Sequence, residues 1–236
     1  MNRLTFLGTR AAIEEKTEKH YYHSSLLLQV LNPYPFRLMI DYGYIHPYDI
    51  SMLKPDVLLI THAHPDHYIW AITEANHATP VYLTRETLEY GKYSPVKTQL
   101  FYPFQWFSVG PVKIFPYRVM HSIRCPAVGF KIKFPDNKTL VYNPDLVDII
   151  TRENILPDTD YYIGDGSTID TNLVRREGEN LYGHARIPTQ VNWCQEYKIK
   201  NIIFTHIGKN TLSREKTFPE MFPEALLACD EMKITI

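Results

Sequence analysis

Short runs of branched and aromatic residues recur along the chain at strand-like lengths: LTFLGT at 4–9, SLLLQVL at 25–31, FRLMID at 36–41, VLLIT at 57–61, VKIFPYRV at 112–119, VGFKIKF at 128–134 and TLVY at 139–142. Turn-forming residues flank these runs, so the pattern predicts β-strands. Between and after them the spacing becomes helical, over HYIWAITEANH behind Asp66, TRETLEYGK at 84–92, TQVNWCQEYK at 189–198 and FPEALLACDEM at 222–232. Pro135, Asp136 and Asn137 lie between two strand-like runs and predict a hairpin turn. The order is that of an α/β chain with a strand-dense first half. No internal repeat, low-complexity tract or linker-like stretch breaks it, and residues 1–236 are expected to form one domain.

Composition narrows the setting. With 236 residues, 44% of them hydrophobic, the chain can bury a sizeable core, and no apolar run is long enough for a membrane span. The opening MNRLTFLGTR enters a strand-like run directly, without the basic, apolar and small-residue order of a signal peptide, so a cytoplasmic address is expected. Cys125, Cys194 and Cys229 are odd in number and widely spaced, which disfavours a disulfide framework and a structural zinc knuckle. A net charge of −1 lacks the basic balance of broad nucleic-acid binding but leaves room for a local cationic pocket.

The candidate chemistry is concentrated in THAHPDH at 61–67. Pro65 prevents a regular helix there, and the preceding VLLI places the loop at the C-terminal end of a buried strand, where α/β folds hold ligands. Imidazole and carboxylate suit zinc, manganese and iron; His62 and His64 can present two nitrogens to one ion, with Asp66 and His67 in reach of a second. One loop rarely completes two metal shells. Three further candidates end strand-like runs: His121 after VKIFPYRVM, Asp145 after TLVYNP and His206 after NIIFT.

In this order the residues resemble the metallo-β-lactamase superfamily of binuclear metallohydrolases, whose signature is His-x-His-x-Asp-His. The resemblance runs from the opening LGT through MIDYG at 39–43 to THIG at 205–208. It implies a four-layer αββα sandwich with two divalent ions at one edge of the sheets. His62, His64 and His121 would hold one ion, Asp66, His67 and His206 the other, and Asp145 would bridge them. Zinc is the expected metal, with manganese and iron as alternatives. Relatives often read Gly-Asp-Thr at the bridging position, where this chain has Asn143-Pro144-Asp145; Asp148 and Asp165 therefore stand as substitutes for Asp145. The resemblance suggests Asp41 as a carboxylate that orients ligand histidines. His20, His23, His46 and His77 lack such context and are expected at the surface.

Two divalent ions roughly 3.5–4 Å apart can share a hydroxide, and zinc lowers the pKa of bound water to about 7, so the resemblance implies hydrolysis near neutral pH, with Asp66 aiming the hydroxide. Three features favour phosphodiesters. His121 sits in HSIRCPAVGF, a setting similar to that of the transfer-RNA 3′-processing nucleases and related cyclic phosphodiesterases. His184, in YGHARIPT, precedes a predicted helix where that branch carries a histidine that helps protonate the leaving oxygen. Arg124, Arg186, Lys209 and Arg214 lie near site positions in sequence and would form a cationic rim that binds substrate.

Tyr42, Tyr44 and Tyr68 flank the metal-edge loops and suggest base stacking. A long basic arm of the kind that grips transfer RNA is not evident, which favours a small, cyclic or nucleic-acid-derived phosphodiester, short nucleic acids included. The nuclease branch also implies a homodimer. The alternatives are a lactone or thioester hydrolase on the same metals, a non-catalytic metal-binding module, and an iron-bearing oxidoreductase, which would normally need a flavin partner domain.

Overall fold

The structure, a computed structural model, describes residues 2–236. β1 (Arg3–Gly8), β2 (Ser25–Val30) and β3 (Phe36–Ile40) form an antiparallel meander, which β4 (Val57–Leu59), β5 (Val81–Leu83) and β6 (Thr98–Leu100) extend in parallel. A second sheet follows from β7 (Phe107–Val109), β8 (Val112–Met120), β9 (Ala127–Lys133) and β10 (Thr139–Tyr142), all antiparallel, with β11 (Asp148–Ile149) against β8 and β12 (Tyr161–Asp165) parallel to β10. β13 (Arg175–Glu177) and β14 (Asn180–Tyr182) make a separate hairpin. β15 (Asn201–Thr205) and β16 (Ala225–Leu227) continue the second sheet in parallel, and β17 (Lys233–Thr235) returns to β1.

Strand alternation builds the layers. In β3 and β4, Leu38, Ile40, Val57 and Leu59 face the second sheet and join Ile114, Phe130, Ile132, Leu140 and Ile163 in the core between the sheets. Met39 and Leu58 point the other way, into an outer cluster with Ile50 and Leu53 of α1 (Ile50–Leu53) and with Tyr68 and Trp70. On the far side, Tyr162, Ile202 and Phe204 are covered by α4 (Ile187–Glu196) through Ile187, Val191 and Trp193. The smaller helices are α2 (Arg85–Tyr90), α3 (Arg152–Ile155), α5 (Lys209–Leu212) and α6 (Phe218–Met221). The architecture is thus the expected αββα sandwich, with thin outer layers. No described helix is long and apolar enough to cross a membrane.

Every strand-like run singled out in the sequence is a strand, and the Pro-Asp-Asn turn joins β9 to β10 with Asn137 in the left-handed region at φ 67°. Two helix expectations fail. HYIWAITEANH holds only a single 3₁₀ turn, Ile69–Ala71, because its apolar residues plug the outer cluster from a loop. FPEALLACDEM contains β16 instead, where Ala225, Leu226 and Leu227 pair with β15 and outweigh helix propensity. His20 and His23 are buried, not exposed, and His46 and His77 are half-buried. Burial pushes His23 down to about 3, and its ring packs edge-on against Tyr44.

Gly129 in β9 shows how tightly the second sheet closes beneath the site. A Cβ there would collide with Asn143 Oδ1 and come 2.6 Å from the Tyr117 ring, and the Tyr117 hydroxyl donates to that same Asn143 oxygen. Gly129→Ala is expected to destabilise the fold by about 1–3 kcal/mol through overpacking. An unchanged urea midpoint would show that the strand relaxes freely.

Candidate metal centre and cleft

The loop after β4 turns sharply on itself, with the amides of His67 and Tyr68 both donating to the His64 carbonyl at 2.9 and 2.8 Å. Its outer side is stitched to the segment after β3: Tyr42 N donates to His67 O at 2.8 Å and Tyr44 N to Pro65 O at 3.1 Å. This fold of the backbone throws His62, His64, Asp66 and His67 toward the strand ends of the second sheet, where His121 follows β8, Asp145 follows β10 and His206 follows β15.

The ligand-type atoms fall into three groups, His62, His64 and His121, then Asp66, His67, Asp145 and His206, then Asp145, Asp165, His184 and His206, the last two sharing Asp145 and His206. His62 Nε2 lies 2.9 Å from His64 Nδ1, which lies 3.2 Å from His121 Nε2. Asp66 Oδ2 lies 3.4 Å from His67 Nε2 and 3.2 Å from His206 Nε2. Asp145 Oδ2 stands 2.7 Å from His67 Nε2 and 3.5 Å from His62 Nε2, between the first two groups. Candidate ligand atoms within His62, His64 and His121, and within Asp66, His67, Asp145 and His206, all lie within 4.8 Å of one another.

Asp41, fully buried at the end of β3, sets the ring states on both sides. A carboxylate only accepts, so His67 Nδ1 donates to Asp41 Oδ2 at 2.8 Å and leaves Nε2 facing the cluster. The Thr61 hydroxyl donates to the same carboxylate at 2.9 Å, which leaves its oxygen to accept from His62 Nδ1 at 3.0 Å and turns His62 Nε2 inward. His121 Nδ1 donates to Gly183 O at 3.1 Å, with the same result.

The donor set fits divalent metal. Imidazole nitrogens and carboxylate oxygens crowd together here with Asp145 Oδ2 2.7 Å from His67 Nε2 and Asp66 Oδ2 3.2 Å from His206 Nε2, a buried nitrogen and oxygen donor set of the kind zinc, manganese and iron accept. Burial pushes His62 and His64 below their ordinary values and His121 to about 4, so these rings stay neutral, as ligands must be. Burial opposes charge on His67 too, but Asp66, Asp145 and Asp41 overrule it and hold the ring well above its ordinary value. At His206, Asp145, Asp165 and Asp66 overcome burial and raise the ring to about 9.

A further pair borders this cluster. His184 Nδ1 donates to Asp165 Oδ2 at 2.8 Å, and Asp165 also accepts the amides of Leu146 at 3.1 Å and Ser167 at 2.8 Å. Gln190 of α4 fixes the Asp165 backbone, accepting its amide at 3.0 Å and donating to its carbonyl at 2.7 Å. Burial works against both charges, yet Asp165 holds His184 well above its ordinary value and His184 holds Asp165 down at about 2. Asp165 therefore sits beside the cluster with His184 as its partner, while Asp148 lies outside it, ion-paired with Arg152 at 3.0 Å. Sequence reasoning missed Gln190 and Ser167, whose hydroxyl lies 3.1 Å from both His184 Nδ1 and His206 Nδ1. A Ser two residues after a strand-end Asp was the only signal available.

The cluster opens into a cleft of about 730 Å³ lined by His64, Asp66, His121, Asp145, His184 and His206 on its floor. Of the four cationic candidates only Lys209 lines it, and Lys209 is ion-paired with Glu15. Arg124 and Arg186 are exposed and outside the lining, and Arg214 is paired with Asp170. Tyr42 and Tyr68 are buried and Tyr44 packs on His23, so none of the three faces the cleft.

A family model described as the beta-lactamase superfamily domain matches residues 44–207, and the chain belongs to that superfamily. Three solved structures illustrate the shared fold. The metallo-beta-lactamase fold protein YhfI from Bacillus subtilis aligns over 99% of this chain and 98% of its own, at 16% identity and a TM-score of 0.68. A diphosphatase from the PhnP family aligns over 100% and 98%, at 17% identity and 0.72. The short form of human tRNase Z aligns over 99% and 99%, at 17% identity and 0.66. No curated protein sequence matches the chain.

Two outcomes follow from this geometry. Asp41→Asn, read by competition with a chromophoric chelator, is expected to weaken metal binding about 10–100-fold, because His67 and His62 lose the acceptor that orients them. Metal loading in weak buffer near pH 7.5 is expected to release protons, since the metal-free protein keeps His67 and His206 protonated and each must give up its Nε2 proton to become a ligand. A raised pKa means the proton is held below that value, so the His206 share of the release should fade as pH rises through about 9. Loading without proton release would remove these two rings from the donor set.

Proposed function

We propose that the protein is a binuclear metal-dependent phosphodiesterase. His62, His64 and His121 would hold one divalent ion, Asp66, His67 and His206 the other, with Asp145 available to both; zinc is the expected metal, with manganese and iron accepted by the same donors. When bound, the two ions would supply Lewis-acid activation of water and charge stabilisation for the reacting phosphoryl group. The observation that carries the reading is His184: its Nδ1 is occupied by Asp165 and its ring lines the cleft beside the metal cluster.

That arrangement suits a general acid. Asp165 stabilises the doubly protonated ring, leaving a proton on Nε2 for the cleft. In the proposed reaction water gives up a proton to solvent and its oxygen bonds to phosphorus as the bond to the leaving oxygen breaks; the leaving oxygen takes the His184 proton, and the ring regains a proton from solvent. Ser167 supports the histidine beside Asp165, and Gly183, at φ 110°, lets the chain pass close to the Leu173 carbonyl and deliver His184 from the end of β14. A poor leaving group such as an alkoxide needs this proton most, which favours the diester over an activated thioester. The likeness to a PhnP-family diphosphatase and to tRNase Z is consistent with phosphoryl chemistry.

His184→Ala is expected to retain metal content while kcat on a dialkyl phosphodiester, whose alkoxide needs the proton, falls on the order of 10²–10⁴-fold, and kcat on a p-nitrophenyl diester falls far less. Asp165→Asn should move the alkaline limb of the kcat profile to lower pH, because a ring without its carboxylate partner gives up its proton earlier. Metal-dependent turnover that ignores both replacements would overturn the acid assignment, and turnover of lactones or thioesters alone would overturn the diesterase.

A further inference from the structure

The cleft has two unlike halves. Part of its lining carries the histidines and carboxylates, whereas Ala11, Ala12, Ile13 and Leu173 present only alkyl groups. Polar groups near that wall are already engaged. Lys209 pairs with Glu15, and the Ser213 hydroxyl donates to the Asn210 carbonyl at 2.7 Å. The Asn210 side chain accepts from the amides of Ile169 and Asp170 at 2.8 and 3.2 Å and donates to Asp170 Oδ1 at 2.6 Å. Thr171 adds one hydroxyl at the exposed rim. Little remains to meet a second phosphate or a row of ribose hydroxyls, and among the described residues no Phe, Tyr or Trp lines the cleft for a base to stack on.

The wall is also held in shape. Buried Arg10 donates through Nε to Tyr21 O at 2.8 Å and through Nη1 to the carbonyl of Ile13. Ala11 N donates to Ile207 O at 3.1 Å, and Ile207 N to Thr9 O at 2.6 Å, which ties residues 9–13 to the backbone that carries His206. The Leu173 carbonyl packs against Gly183, where a Cβ would collide with it. A preformed apolar surface of this kind binds by removing alkyl or aryl groups from water, at little ordering cost.

We propose that Ile13 and Leu173 are specificity-determining residues that select a phosphodiester carrying a compact, uncharged alkyl or aryl substituent over a nucleotide chain. The inference rests on the diesterase reading for its phosphate and on the wall for its substituent. The first test is calorimetric binding to the zinc-loaded protein of three probes with one common phosphodiester: diphenyl phosphate, dimethyl phosphate and the dinucleotide thymidylyl-thymidine. Diphenyl phosphate is expected to bind about tenfold or more tighter than either of the others. Ile13→Asn and Leu173→Ser should each erase most of that preference while zinc content and dimethyl phosphate affinity stay unchanged; Leu173, partly exposed, carries the test if the Ile13 variant fails to fold in a thermal melt. Equal affinity for the three probes, tighter dinucleotide binding, or a preference that survives Leu173→Ser would overturn the proposal. Hydrolysis of bis(p-nitrophenyl) phosphate is measured in parallel: selective binding without turnover strikes the diesterase reading and leaves the wall standing.

Discussion

The site depends on one buried carboxylate. Asp41 has no cationic side chain such as Lys or Arg beside it; it is sustained by His67, the Thr61 hydroxyl and the Thr61 amide, which donates at 2.8 Å. Burial raises its carboxyl above the ordinary range, and these donors offset part of that rise. The same hydrogen bonds that keep Asp41 tolerable underground also decide which nitrogens of His62 and His67 face the metal cluster. Asp41 sits at φ 62°, in the left-handed region, so β3 can stop and swing its carboxylate under the neighbouring loop. Structural stability and ligand geometry are therefore one network here.

The second constraint is that neither sheet owns the site. The first sheet supplies Asp41 and the His62–His67 loop, and the second supplies His121, Asp145, Asp165 and His206 from the ends of β8, β10, β12 and β15. Val128 N donates to Thr61 O at 3.1 Å, a direct backbone link between β9 and the loop of the other sheet. Slippage of the interface between Ile40, Leu59, Phe130 and Ile163 would separate the two halves of each ligand group. The Asn143-Pro144-Asp145 sequence holds Asp145 between the halves, 2.7 Å from His67 Nε2 and 3.5 Å from His62 Nε2. Asn143 is buried and anchored by Tyr117 and by its amide to Ile163 O at 2.8 Å, which fixes the start of the turn that carries Asp145.

Much of this was legible in the sequence because it is periodic or dense. The strands announce themselves by branched residues, and the three histidines and aspartate of 61–67 are too concentrated to be incidental. What stayed hidden depends on side chains meeting across distance. His20 and His23 look like members of a polar, charged segment, yet Thr9 and Tyr44 bury them. Asp165 reads as a spare carboxylate, and only packing of α4 against β12 joins it to His184 and Gln190. Arg124 and Arg186 are near the site in sequence but exposed and off the cleft, since proximity along a loop says nothing about the direction of a side chain. The region around β16 failed as a helix because parallel pairing with β15 is a tertiary fact.

The acid pair and the apolar wall are coupled by the dielectric. His184 keeps about a quarter of its side-chain surface open, 23%, and that opening is into the cleft that Ile13 and Leu173 border. On the proposed reading, a substrate substituent packed against those residues displaces water from the same space in which the leaving oxygen takes its proton. Charge interactions strengthen as water leaves, so the His184–Asp165 pair would act most strongly on substrates that fill the wall. A polar substituent would bring its own hydration into the cleft and forgo that gain. Selectivity would then appear in the rate of proton delivery as well as in binding, from residues that never touch the metals.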